Sequence, residues 1–120
     1  MHDDQEVTGR SLAERRAQLE RERRDNALAC ARTALAMLAE RGIEACVVGS
    51  LARGDFDLQS DADFLVLSAV PVGDKMSIAA AIDHCFDDTD LSVDVTYADE
   101  LDDRRYAYMT QHTLYLEDLS

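Results

Sequence analysis

At 120 residues, 47% hydrophobic and 31% charged, the chain has the size of one ordinary domain and enough apolar content for a core. Its formal net charge of −13 argues against a generic nucleic-acid binder, whose phosphate contacts need Lys and Arg, and fits a metal-binding protein or one with a basic partner. No apolar run is long enough for a membrane span, no signal-peptide pattern opens the chain, and Cys30, Cys46 and Cys85 lack zinc-type spacing, so free thiols in a reducing cytoplasm are expected.

Residues 1–10 lack apolar periodicity and read as a flexible tail ahead of a single domain spanning 11–120. Ser11 with Glu14 makes a capping box, which predicts a helix from Ser11 to Arg41, stopped by Gly42. Leu28, Ala31, Leu35 and Leu38 recur at helical spacing and should pack on a sheet. Residues 11–27 hold five arginines among glutamates and form a polar extension, either solvated and laced by ion pairs or partner-binding. Residues 43–48 and 63–68 read as buried strands flanking the stretch 49–63. Pro71 and Gly73 punctuate a loop before a helix over 74–86. Residues 91–97 make a third strand, Asp99 or Asp102 caps a last helix to about residue 111, and residues 113–116 can add a short strand. The order implies an α/β (α+β) fold: a small mixed sheet with helices packed mainly on one face.

The stretch 49–63 runs Gly-Ser-Leu-Ala-Arg-Gly-Asp-Phe-Asp-Leu-Gln-Ser-Asp-Ala-Asp. It places backbone N–H groups and a hydroxyl at one end and two carboxylates at the other, which suits a metal-bound phosphate. Side chains alternate along a strand, so Asp61 and Asp63 share a face if the strand conformation begins at Asp61. By the same rule Ser92, Asp94 and Thr96 share a face of the third strand. If the two strands are close, Asp94 faces Asp61 and Asp63, and three carboxylates that near repel unless divalent cations relieve them. Taken singly, an Asp-x-Asp is a common loop feature and a Gly-Ser a common turn; it is the combination that points to a site.

Gly49-Ser50, ten residues, then Asp61-Ala62-Asp63 resembles the signature of nucleotidyltransferases of the DNA polymerase β superfamily. Its fuller form, Gly-Ser-x-x-Arg-Gly ending in Ser-Asp-x-Asp, is met by Gly49, Ser50, Arg53, Gly54, Ser60, Asp61 and Asp63. The resemblance covers about residues 28–116 and implies the polymerase-β-like fold. By that resemblance Asp61 and Asp63 would bind two Mg²⁺ ions, and Asp94 would complete the second site and help deprotonate the attacking hydroxyl. Gly49 and Ser50 would hold the β- and γ-phosphates; Arg53 would neutralise the triphosphate or pair with Asp55 or Asp57. Gly54 would serve the turn, and Ser60 completes the nucleotide-binding set.

The short chain is similar to the minimal nucleotidyltransferases, often antitoxins paired with a HEPN toxin. This implies transfer of a nucleoside monophosphate, AMP from ATP, to a hydroxyl of a partner toxin, with pyrophosphate released. The polar half-helix before residue 28 departs from the shortest members and leaves a different partner or oligomer open. Two rivals stand beside this reading: a non-catalytic antitoxin that neutralises its partner by binding, and an RNA-end nucleotidyltransferase, which the acidic composition disfavours. Arg105 and His112 match the spacing of a helical ribonuclease motif, but three strand candidates argue against that fold. His84 reads as a helix-surface residue. Tyr106, Tyr108 and Tyr115 read as packing residues, with self-nucleotidylation on tyrosine left open.

Overall fold

The computed structural model describes residues 3–119, with side chains from residue 11 onward. Helix α1 (Asp3–Glu40) is followed by strand β1 (Ala45–Val48), short helix α2 (Gly49–Arg53) and strand β2 (Ala62–Val66). Helix α3 (Val72–His84), strand β3 (Val93–Tyr97), a 3₁₀ turn (Ala98–Glu100), helix α4 (Asp103–Met109) and helix α5 (Leu116–Leu119) complete the chain. The expected helix start is corrected: α1 begins at Asp3, so Ser11 lies inside the helix instead of capping it, and the stretch expected as a tail is helical from Asp3. Residues 1 and 2 fall outside the described residues.

The other end of α1 follows expectation. Gly42, at φ 75°, donates its N–H to the Ala39 carbonyl, and Ile43 donates to Leu38. These paired bonds form a Schellman motif, in which the left-handed residue is glycine because a Cβ is disfavoured there.

The sheet order is β1-β2-β3. β1 pairs antiparallel with β2, while β2 pairs parallel with β3 across the α3 crossover. Alternation divides the strands between two cores. Val47, Phe64 and Val66 join Ala27, Ala31, Ala34, Leu35 and Leu38 of α1 and Ile78 and Ile82 of α3 on one face. Phe64 meets Phe86 edge to face at 5.9 Å. Cys46, Val48 and Leu65 turn to the opposite face, where Ala98, Leu101, Met109 and Tyr115 cover them. The two long helices thus share one face, as expected, and the segment after β3 covers part of the second face.

That segment returns along β1. Leu114 exchanges two backbone hydrogen bonds with Val47, at 2.8 and 2.9 Å, so the expected final strand contracts to a single bridge shielding the β1 edge. Asp102 caps α4 as expected, accepting from the Arg105 N–H at 2.8 Å. The start of α3 is tied to the end of β3: the Tyr97 hydroxyl donates to the Lys75 carbonyl at 2.6 Å, and Lys75 Nζ reaches Asp99 and Glu100 at 2.8 and 2.7 Å. Among the described residues no helix is long and apolar enough to cross a membrane.

Candidate active site

Strand register builds the site. Val48 pairs with Asp63, and Asp63 pairs with Asp94, so one row across the sheet carries two facing carboxylates. In a parallel row Cys46 pairs with Leu65 and Leu65 with Thr96. Paired residues share a face, so Asp63, Asp94 and Thr96 lie on the face away from α1 and α3. Asp61 sits immediately before β2 and is exposed. Its charge nevertheless acts on Asp63.

Asp63 is the half-buried member. Desolvation, then the charges of Asp94 and Asp61, push its carboxyl up from 3.8 to about 6, against a smaller opposing effect from Arg53. Burial is the larger cause, and the repulsion among the neighbouring carboxylates adds to it. Among the described residues, however, no three His, Cys, Asp or Glu side chains form a group able to hold a metal by themselves. The chain supplies a facing pair with a third carboxylate nearby. An all-oxygen set of that kind fits Mg²⁺, which keeps waters and takes phosphate oxygens as further ligands.

The pair opens into a cleft of about 400 Å³. Its floor is Val48, Gly49, Asp63, Asp94 and Thr96 of the sheet and its turn; Arg53 of α2 borders it, and Tyr108, Met109, Gln111 and His112, from α4 and the residues after it, form a wall. Gly49 has φ 70°, and a Cβ there would run into the Asp63 carboxylate. The glycine is thus required twice, for the left-handed turn into α2 and for the close approach of Asp63. Gly54, at φ 96°, ends α2 and donates its N–H to the Ser50 carbonyl.

Of the remaining motif residues, Ser50 and Ser60 do not line the cleft. Ser50 lies in the first turn of α2, beside Gly49. Ser60 donates its hydroxyl to Asp57 at 2.9 Å and accepts the Asp57 N–H at 3.0 Å, closing the loop before β2 on itself. The Gln59 N–H, donating to the Asp57 carboxylate at 2.9 Å, and after it the Ser60 hydroxyl hold that carboxyl below its ordinary range. Of the alternatives for Arg53, the pair with Asp55 is formed, at 3.3 Å, while the guanidinium still borders the cleft.

A family model described as a nucleotidyltransferase domain matches residues 31–116, well over half of the chain. The chain belongs to the nucleotidyltransferase domain family. Comparison with curated proteins finds no match. The general chemistry of the nucleotidyltransferase domain is transfer of a nucleoside monophosphate from a nucleoside triphosphate, and the mixed sheet excludes the helical-bundle ribonuclease reading of Arg105 and His112.

One part of the cleft lining, from α4 and the residues after it, lies outside the sequence expectations. Tyr106 and Tyr108 were expected to pack, but they are 41% and 72% exposed, and Tyr108 borders the cleft. Their i,i+2 spacing on α4, which puts them on different sides of a helix, was the available signal. His112, weighed only as a ribonuclease residue, is also in the wall. Tyr115 does pack, against the second core, and His84 is a surface residue paired with Asp87 at 2.6 Å, both as expected. The three cysteines are free, and burial pushes the Cys46 thiol up to about 11.

Proposed function

We propose that this nucleotidyltransferase domain transfers AMP from ATP to a hydroxyl of a partner protein, as the antitoxin of a HEPN-type toxin. The observation that carries the reading is the in-register pairing of Asp63 with Asp94 on the floor of a cleft bordered by Gly49 and Arg53. The small acidic body, at −13, also favours a protein acceptor over nucleic acid.

Asp63 and Asp94, with Asp61 at the rim, would hold divalent cations. Mg²⁺, when bound there, neutralises the triphosphate and stabilises the incoming and departing oxygens. The Gly49 turn and the Ser50 hydroxyl donate to the β- and γ-phosphates, and Arg53 turns from Asp55 toward the same charge. Asp94 takes the proton of the acceptor hydroxyl. The acceptor oxygen bonds to the α-phosphorus as the bond to the β-phosphate oxygen breaks, and pyrophosphate leaves. Gly54 and Ser60 act through the loop they shape, since the Ser60 hydroxyl is already engaged by Asp57. Tyr108 and His112 bound the side on which acceptor or base would rest.

The test is incubation with α-labelled ATP, Mg²⁺ and lysate of the source cell. A labelled protein is expected, with labelling reduced at least about a hundredfold for Asp94→Asn. Label that enters RNA instead, or labelling unchanged in the variant, contradicts the proposal.

A further inference from the structure

The polar half of α1 has no part in the cleft, yet one of its side chains reaches the body. Arg23 Nη1 lies 3.0 Å from Asp90 Oδ1, and Nη2 donates to the Ser60 carbonyl at 3.4 Å. The guanidinium carbon stands 6.0 Å from the centre of the Phe56 ring. The side chain is only 17% exposed, and its Nε is buried without a hydrogen-bond partner. The guanidinium is thus held by its two Nη contacts and the ring. Arg16 behaves differently: it reaches Glu20 at 3.7 Å with 69% of its side chain exposed, an ordinary surface pair of little energetic weight.

The two groups that Arg23 holds are placed in a particular way. Ser60 directly precedes Asp61 at the approach to β2, and Asp90 lies in the turn approaching β3 and Asp94. The approaches are also joined to each other, since the Ala62 N–H donates to the Ser92 carbonyl at 2.9 Å. A planar fork with divergent donors can hold both at once, which a single ammonium does less well.

We propose that Arg23 is a positioning residue of the cleft: it ties the approaches to β2 and β3 to one rigid helix and so fixes the spacing of Asp63 and Asp94. The inference rests on reading those carboxylates as the Mg²⁺–triphosphate site. It is distinct from a role in global stability, because Ala27, Ala31, Ala34, Leu35 and Leu38 already anchor α1 to the sheet.

The test compares wild type with Arg23→Met, which keeps the apolar stem, with Arg23→Lys, and with Asp90→Asn. Amide hydrogen exchange without nucleotide is read at residues 60–63 and 92–94; binding of Mg²⁺–ATP is read separately by calorimetry. Arg23→Met should exchange faster at both segments and raise the Kd for Mg²⁺–ATP roughly tenfold, the scale typical of groups that orient metal ligands. Arg23→Lys should restore part of both, and Asp90→Asn should loosen chiefly residues 92–94. Unchanged exchange in Arg23→Met, or faster exchange with unchanged Mg²⁺–ATP affinity, overturns the inference. Should Arg23→Met fail to fold, Asp90→Asn decides by the same readouts. Wild type that binds no Mg²⁺–ATP would sink the functional reading, while the exchange comparison would still decide whether Arg23 orders the two approaches.

Discussion

Asp63 shows how a single side chain records the purpose of its surroundings. It faces Asp94 across the parallel pair and rests against Gly49, and its carboxyl is raised to about 6 from 3.8. Between those values the folded protein binds more protons than the unfolded chain, so this group adds stability as pH falls through 6 and withdraws it as pH rises. Asp63→Asn removes the effect. Without metal, the variant is expected to be more stable than wild type at pH 7.5 by about 1 kcal/mol, after allowing for solvent screening at a half-exposed group. The difference should shrink toward zero near pH 4, where wild-type Asp63 is itself neutral. Urea unfolding at the two pH values checks it, and a difference independent of pH contradicts the assignment.

Among the elements, β2 carries both the core and the site. Ala62, Phe64, Leu65 and Val66 are buried, and Asp63 is the one side chain of the strand that is not. Phe64→Ala should cost about 3–5 kcal/mol in chemical denaturation, because it empties the contact with Phe86 at the centre of the larger core; a loss below about 1 kcal/mol would show that the sheet does not depend on it. This strand was legible in advance. Its apolar run and flanking aspartates mark it, and alternation along residues 91–97 correctly grouped Asp94 with Thr96. The wall of Tyr108 and His112 was not legible, because it forms only when the segment after β3 folds back and Leu114 bridges to Val47. Nothing local in residues 104–112 encodes that return. The backward reach of α1 to Asp3 was hidden for another reason: residues 3–10 carry no apolar stripe, so periodicity could not detect helix there.

At the scale of the whole molecule, a small body is joined to a long helix. The longest dimension is 62 Å and the radius of gyration 17.2 Å. A compact domain of this length would have a radius near 14 Å. The 38-residue α1 accounts for the difference, being about 57 Å long at the usual rise. Its apolar half packs on the sheet, and from its polar half Arg23 reaches the approaches to both carboxylate-bearing strands. The molecule can therefore be read as a scaffold that holds an unfavourable meeting of negative charges until a cation and a triphosphate arrive. Asp94 tests that idea most cleanly, since it is exposed and lies on an edge strand, where substitution leaves both cores intact. The measurement is calorimetric titration of wild type and Asp94→Asn with Mg²⁺ and a non-hydrolysable ATP analogue. Saturable, Mg²⁺-dependent binding is expected for wild type, weakened at least about tenfold, or 1.4 kcal/mol, in the variant. Equal affinity in the two proteins, or wild-type binding indifferent to Mg²⁺, would contradict the account.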